Sequence, residues 1–274
     1  MAREEKTPII YLLAMATICL LMISARQKAN AQSMDCLNGT LPNACTYLPV
    51  MVSLGEEIPP AVYNAIPVDG PAIDRPPAEH GDLNLALRGY QAVTATLALI
   101  NINGPTDSDA PQLDGLFAEP RLPNFTETYQ VHDWDWMCGE NGCRGEPLTQ
   151  RQVTLLGIEA APGEPIHIPS RNPEIYSSGY KALVLYAEAE RITLVYTRQD
   201  TAAFGYVAHL EDVEVDPSLL ALYQELDAAG RDQLPALRNG ERLGYAGSTT
   251  LKVAIRDTGT FMDPRSQKDW WMDY

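Results

Sequence analysis

Two stretches of sequence decide the fold of this chain: VTLLGIEAAPGEPIHIP at residues 153–169 and LKVAIRDTGTFMDPRSQKDWW at residues 251–271. Short apolar runs rich in β-branched residues lie between or within them, and each is typical of a β-strand. The runs are ALVLYA (182–187), ITLVY (192–196), YVAHL (206–210) and LKVAI (251–255). Glycine, proline and aspartate separate the runs, as expected for turns. The pattern predicts a mainly β domain over residues 153–274.

One segment of this domain, PSLLALYQEL at residues 217–226, has helical periodicity instead. Its apolar side chains recur at i, i+3, i+4 and i+7, which places them on one face of a helix: Leu219, Leu222, Tyr223 and Leu226. Asp216 is a candidate N-cap, and Pro217 suits the first helical position. Gly230 follows as a stop signal. We therefore expect one short amphipathic helix inserted between strands.

The N-terminus has the layout of an export signal. Arg3 and Lys6 give a weakly basic start, and residues 9–23 are apolar. Ala29-Asn30-Ala31 then fits a small-x-small cleavage site, so we expect cleavage after Ala31. An uncleaved signal-anchor is the alternative, although the apolar run is shorter than the ~20 residues that span a bilayer comfortably. In either case the bulk of the chain is predicted to leave the cytoplasm.

The composition is acidic, with 20 Lys and Arg residues against 36 Asp and Glu and a net charge of −16. Removal of residues 1–31 takes away four basic and two acidic residues, which leaves 16 against 34, or −18. Nucleic acid is excluded as a partner, because phosphate binding needs a positive surface. The charge suits a soluble exported protein. No membrane partner is expected after signal cleavage.

Four cysteines remain beyond the predicted signal: Cys36, Cys45, Cys138 and Cys143. An even number in an exported chain predicts two disulfides. Pairing of sequence neighbours, Cys36 with Cys45 and Cys138 with Cys143, is the simplest of the three connectivities that four cysteines allow. A zinc site is the alternative, but spacings of nine and five residues fit no zinc-ribbon pattern.

The part of the chain before residue 153 divides by composition. Residues 32–80 are rich in proline and lack periodicity, which is typical of an extended leader or linker with polyproline II character. Residues 83–103 contain two β-like apolar runs. Residues 81–128 are therefore either a small β-rich module or additional strands of the main unit, and residues 129–152 carry the Cys138–Cys143 loop. The predicted order is a signal peptide (1–31), a linker (32–80), the small module (81–152) and the β-domain (153–274).

The segment YQVHDWDWMCGENGC at residues 129–143 alternates two tryptophans with two aspartates. Trp134 and Trp136 are candidate binding residues, because flat aromatic faces offer stacking platforms, for instance to sugar rings. His132 and the two aspartates offer groups that bind metals. The simpler interpretation, which period-2 alternation favours, is a strand with the tryptophans packed inward and the aspartates outward.

Motifs follow one another in a recognisable order over residues 153–264: GIEAAPGEPIHIP (157–169), YVAHL (206–210), NGERLGYAGST (239–249) and TLKVAIRDTGTFMDP (250–264). This order resembles the lysostaphin-type zinc endopeptidases, which cut peptidoglycan cross-bridges. In that family a His-x-Gly-x-Asp stretch precedes a turn of small residues. A Tyr-Ala-His-Leu strand, a Gly-x-x-x-Gly stretch and a His-x-His strand near Asp-Pro then follow. The resemblance implies an antiparallel β-sheet groove, so the predicted fold is a mainly β, barrel-like domain with one inserted helix.

The positions that match the family's zinc ligands hold other residues here. The resemblance places Leu155 and Glu159 where the family has His and Asp, and Lys252 where it has its last histidine. Zinc needs about three protein ligands of nitrogen, sulfur or carboxylate type. Leucine has no donor atom and a lysine ammonium repels a cation. The resemblance therefore implies that the zinc and its activated water are lost, and we expect no metal and no cofactor.

His209 matches a family histidine and is the candidate catalytic residue. Together with Asp200, Glu211 or Asp212 it would form an acid–base pair, although no nucleophile elbow, phosphate loop or HExxH motif accompanies it. The leading expectation is an exported, non-catalytic relative of these peptidases. It would bind cell-wall peptide or glycan, or serve a structural role, at the cell envelope or outside the cell. The alternatives are a divergent hydrolase of these polymers that uses His209 and a purely structural surface protein.

Overall fold

The computed structural model describes residues 61–274, so the predicted signal peptide and the predicted Cys36–Cys45 pairing lie outside the described residues. Within this range the chain forms fourteen strands and three α-helices. The strands are β1 (Asn64–Pro67), β2 (Tyr90–Ala92), β3 (Phe125–Asp135), β4 (Cys143–Pro147), β5 (Leu155–Glu159), β6 (Pro165–His167), β7 (Tyr180–Glu188), β8 (Arg191–Val195), β9 (Tyr206–Glu211), β10 (Val213–Val215), β11 (Gln233–Arg238), β12 (Arg242–Ala246), β13 (Thr250–Asp257) and β14 (Thr260–Phe261). The helices are α1 (Leu85–Arg88), α2 (Pro217–Ala228) and α3 (Gln267–Trp270). Short 3-10 turns occupy Pro77–Glu79 and Leu113–Leu116.

Eleven strands form one large antiparallel sheet. Its order is β1-β11-β7-β8-β9-β13-β5-β3-β2, with β14 added beside β13 and β4 beside β3. The four strands predicted from apolar runs correspond to β7, β8, β9 and β13. The prediction of a mainly β, antiparallel fold with a short helix is therefore confirmed.

The centre of this sheet is buried on both faces. Leu251, Val253 and Ile255 of β13 belong to the main apolar core. Ala254, on the opposite face of the same strand, packs in a second buried cluster with Leu155. Because most positions on both faces of these strands are buried, their sequences are mainly apolar, and the polar residues Thr193, His209 and Arg256 stand buried among them.

A smaller three-stranded sheet has the order β10-β12-β6. Gly244 of β12 lies against β10, where the Cβ of any other residue would stand 2.2 Å from the carbonyl oxygen of Glu214. Real Cβ atoms do not approach backbone so closely. Glycine is therefore required at position 244, because the two backbones approach too closely for a side chain.

The predicted helix is confirmed as α2. The Asp216 side chain accepts a hydrogen bond from the Ser218 amide at 2.9 Å, and Pro217 is the first helical residue. Leu219 and Tyr223 are buried, and they lie four residues apart on the face that packs against the sheet.

The C-terminal tail packs into the core through an aromatic pair. Trp270 and Trp271 are almost fully buried. Their indole nitrogens donate to the carbonyl oxygens of Asp263 and Pro264, each at 2.9 Å. Both rings therefore combine apolar burial with a satisfied polar group.

Two predictions for the first part of the chain differ from the structure. Residues 83–103 contain the short helix α1 and the short strand β2, not two strands of full length, because Asn84 caps a helical turn and Gly89 (φ 64°) ends it. β1 lies in the predicted linker yet pairs with β11. β3 pairs directly with β5. Strands before residue 153 thus extend the main sheet.

Within residues 61–274, no helix combines the length and the apolar character that a membrane span requires.

Candidate functional site

Strands β5, β9 and β13 bring together the positions that the peptidase resemblance singles out. Lys252 of β13 lies opposite Gly157 of β5. His209 of β9 lies opposite Ala254, two residues further along β13. Because alternate residues of a strand point to the same side, Leu155, His209 and Lys252 share one face of the sheet. We call this surface the His209 face.

Residues 82–88, here called the covering segment, lie over the His209 face. Leu85 packs with Leu155, Ala254 and Phe261 in one buried cluster. The backbone of the segment is also attached, because the Thr193 hydroxyl donates to the Leu83 carbonyl oxygen at 2.7 Å. The chain's own side chains therefore fill the place where an open groove was expected.

His209 is sealed beneath this cover, with 1% of its surface exposed. Its Nδ1 lies 2.9 Å from Thr193 Oγ1. The Thr193 hydroxyl uses its hydrogen in the bond to the Leu83 carbonyl oxygen, so it can only accept from His209. The imidazole hydrogen is therefore on Nδ1, which donates a hydrogen bond to Thr193 Oγ1. Nε2 is then a bare acceptor, and it has no hydrogen-bond partner among residues 61–274. Phe261 stacks on the ring with 5.9 Å between centroids.

Burial and the charges around His209 keep it neutral. Burial, followed by the charges of Arg256 and Arg88, holds the pKa of His209 well below its usual range, against the opposing effect of Asp82. The Asp82 carboxylate accepts from Arg88 at 2.5 Å and lies 3.0 Å from Arg256. Burial lowers the pKa of Arg256 to about 10, which leaves it cationic at neutral pH. A proton on His209 would therefore be buried beside two guanidinium groups.

The carboxylates considered as partners for His209 are each paired with another cation: Asp200 with Arg231, Glu211 with Arg191 and Asp212 with Lys252. Burial raises the pKa of Glu211 despite Arg191. Burial lowers the pKa of Lys252, but the hydrogen bond to Asp212 and the charges of neighbouring groups together outweigh it, so the net shift is upward. Lys252 is thus a paired ammonium at neutral pH. The structure does not assemble the predicted acid–base pair.

The remaining position that matches a family ligand, Glu159, lies at the exposed end of β5 and accepts a hydrogen bond from Asn124. Leu155, four residues earlier, is completely buried. In the described part of the chain, no three His, Cys, Asp or Glu side chains come close enough to hold a metal ion. His132, proposed as a metal-binding group, instead places Nδ1 2.9 Å from the Gly145 carbonyl oxygen.

The two candidate binding tryptophans have different environments. Trp134 is 9% exposed and donates its indole N–H to the Asn141 carbonyl oxygen at 3.2 Å. Trp136 is 36% exposed, with the His80 ring 4.8 Å from its own. The guanidinium carbon of Arg75 lies 4.7 Å from the centroid of Trp136. Trp134 is therefore a packing residue, and Trp136 retains only part of its surface for contact with another molecule.

The predicted pairing of Cys138 with Cys143 is confirmed, and their Cα atoms are 5.4 Å apart. The bond closes the turn between β3 and β4. It thereby holds the Asn141 carbonyl oxygen over the indole of Trp134.

A second surface feature was not predicted from the sequence. Residues 69–74 and 199–201 form the walls of a cleft of about 410 Å³, with His80 and Phe204 at its sides. We call it the Phe204 cleft. Its walls are loops without apolar periodicity, and one of them falls in the stretch interpreted as a linker. The exposed Phe204 within a polar loop is the one local signal that pointed to it.

Comparison of the chain with family models, curated proteins and solved structures found no match.

Proposed function

We propose that this protein is an exported, non-catalytic module, related to lysostaphin-type peptidases, that binds cell-wall peptide or glycan at the cell envelope or outside the cell. One observation carries the proposal: the His209 face, where the resemblance would place catalysis, is filled by the covering segment. The order of motifs supports the relationship to the family. The predicted signal, the acidic charge and the disulfide support export.

Access to His209 is the first step of the argument. A general base has to lie within about 2.6–3.2 Å of the proton it removes, or act through one water molecule. The Nε2 atom of His209 is buried beneath Phe261 and the covering segment. A polymer substrate would reach it only after the Leu85 cluster and the Thr193–Leu83 hydrogen bond had been broken.

The charge at the family's ligand positions is the second step. Lys252 places an ammonium group where the resemblance expects a zinc-binding histidine, and that group is held by Asp212. Leu155 contributes only apolar packing. A divergent hydrolase that uses His209 would therefore need both a different fold of residues 82–88 and a partner that the structure places elsewhere.

Binding and turnover are tested together on purified, labelled cell-wall polymer. We expect the wild-type protein to sediment with the insoluble polymer and to release no label. The His209→Ala variant should bind as well as the wild type, provided that circular dichroism shows it to be folded. His132→Ala is the matched control for removal of a histidine outside the His209 face.

Two results would contradict the proposal. Release of label that is lost in His209→Ala but kept in His132→Ala would establish the hydrolase. Failure of the folded wild-type protein to sediment with the polymer would leave the purely structural role as the better account.

A further inference from the structure

The Phe204 cleft is a built feature, held by specific contacts between its walls. The Asp69 amide donates to the Arg198 carbonyl oxygen at 2.7 Å. The Ile73 amide donates to the Asp200 carboxylate at 3.1 Å. These bonds join residues that are more than a hundred positions apart in the sequence. A volume of about 410 Å³ falls within the range of about 300–1,000 Å³ typical of ligand sites.

Charges within the cleft are balanced in pairs. Its three carboxylates are each bound to an arginine: Asp69 to Arg198 at 2.7 Å, Asp74 to Arg75 at 3.3 Å and Asp200 to Arg231 at 2.7 Å. Burial lowers the pKa of His80 below its usual value. The charge of Asp82 opposes this shift, and the charge of Arg75 adds to it by a smaller amount. The cleft is therefore close to neutral at pH 7 in a chain whose net charge is −16.

This balance discriminates between classes of ligand. A phosphate or carboxylate ligand would have to compete with Asp69, Asp74 and Asp200 for guanidinium groups that these residues already hold. An amine ligand would likewise have to displace an arginine. The cleft lining still offers carboxylate oxygens as acceptors, the Thr201 hydroxyl, and the Gln199 amide as both donor and acceptor. Such a pattern suits hydroxyl groups, which donate and accept at the same time.

An aromatic face completes the cleft. Phe204 lines it and is 56% exposed, although it is a large apolar side chain. The exposed amide of Gln199 lies on the same wall. Apolar surface with a few convergent polar groups is the usual composition of a small-ligand site. A pyranose ring likewise combines an apolar C–H face with polar groups, the hydroxyls around its rim.

We propose that the Phe204 cleft binds a neutral glycan, with a sugar ring stacked on Phe204 and its hydroxyls hydrogen-bonded to Asp74 and Gln199. The inference rests on the proposed function, because that function supplies a glycan among the expected partners. It adds the site, which shares no lining residue with the His209 face, and it chooses glycan over peptide.

The test is a nuclear magnetic resonance titration of the exported chain with the β-1,4-linked tetramer of N-acetylglucosamine. We expect shifts confined to residues 69–74, His80 and residues 199–204. An aromatic stacking contact corresponds to about a two- to tenfold change in affinity, so Phe204→Ala should weaken binding by that factor. Leu97→Ala is the matched control, since Leu97 is 49% exposed and lines a different surface cleft.

Each other outcome overturns the inference in a recognisable way. Equal affinities of Phe204→Ala and wild type, or shifts centred on another surface, would show that the site is wrong. Binding of a pentaglycine or lysine-rich peptide in the cleft without binding of the tetramer would show that the ligand class is wrong. Sedimentation with wall polymer without tetramer binding would refute the glycan site and leave the proposed function standing. Loss of tetramer binding together with loss of sedimentation would refute the glycan site and the proposed function alike.

Discussion

Removal of the Asp200 carboxylate tests how the wall of the Phe204 cleft is held. Arg231 donates from Nε and from Nη2 to the two oxygens of Asp200, each at 2.7 Å. The Asp200 side chain has no exposed surface, and that of Arg231 is 5% exposed. The same carboxylate accepts from the Ile73 amide. Asp200→Ala would therefore leave a buried guanidinium and release one wall of the cleft.

The expected loss of stability in Asp200→Ala follows from the burial of the Asp200–Arg231 pair. Breaking a buried ion pair by removal of one partner costs about 3–5 kcal/mol. Arg231 keeps its bonds to Asp227 and to the Leu185 carbonyl oxygen, so we expect the lower end, about 3 kcal/mol. For a domain of this size, about 2–4 °C of melting temperature corresponds to 1 kcal/mol. The expected fall is therefore about 6–12 °C.

Asp227→Ala is the matched control, because it removes the other carboxylate bound to Arg231. Its side chain is 34% exposed, and a solvent-screened pair is worth about 0–1 kcal/mol. Unfolding in urea, followed by circular dichroism, gives both losses on one scale. Equal losses of stability in the two variants would refute the reasoning that burial of the Asp200 pair holds this wall.

Four further predictions follow from the same structure. Because the folded-state pKa of His209 lies well below its unfolded value of 6.5, its contribution is complete above pH 6.5 and is lost as the pH falls. Urea unfolding should show wild type losing up to about 1.4 kcal/mol per pH unit relative to His209→Gln below that pH, and parallel profiles would contradict this. A chelator should leave the melting temperature unchanged, whereas a structural zinc, worth on the order of 10 kcal/mol, would produce a large fall. Thiol titration of the denatured, unreduced mature protein should find no free thiol, and joint replacement of Cys138 and Cys143 by serine should cost up to about 2 kcal/mol in unfolding experiments. Gly81→Ala would place a Cβ 2.4 Å from the ring of Trp134, so it should lower stability by about 1–3 kcal/mol, and an unchanged melting temperature would show that the ring moves freely.

The parts of the fold that could be predicted are those with local causes. The strands β7, β8, β9 and β13 are apolar runs because both faces of the central sheet are covered. The helix α2 was visible because Asp216 and Pro217 supply a cap and a first turn within the sequence itself. The Cys138–Cys143 bond closes a loop of neighbours. In each case the residues that determine the structure are close to one another along the chain.

The features that could not be predicted depend on contacts between distant segments. The covering segment meets the sheet through Thr193, 110 positions beyond Leu83. β1, which composition placed in a linker, pairs with the distant strand β11. A hydrophobic pattern reports that Leu83 and Leu85 are buried, but it does not report which surface buries them. The closure of the His209 face could therefore not be predicted from periodicity and spacing.

The closed face also gives a physical reason for the side chains that stand at the family's ligand positions. Leu155 serves the apolar cluster beneath Leu85, where a histidine would bury an unpaired polar group. Lys252 compensates the charge of Asp212 beside the sheet. His209 donates a hydrogen bond from Nδ1 to Thr193, whose hydroxyl in turn donates to the Leu83 carbonyl oxygen, so this histidine helps to hold the covering segment. The side chains at the positions that the resemblance singles out thus act in packing and attachment, and under the proposed function contact with a polymer would come from another surface such as the Phe204 cleft.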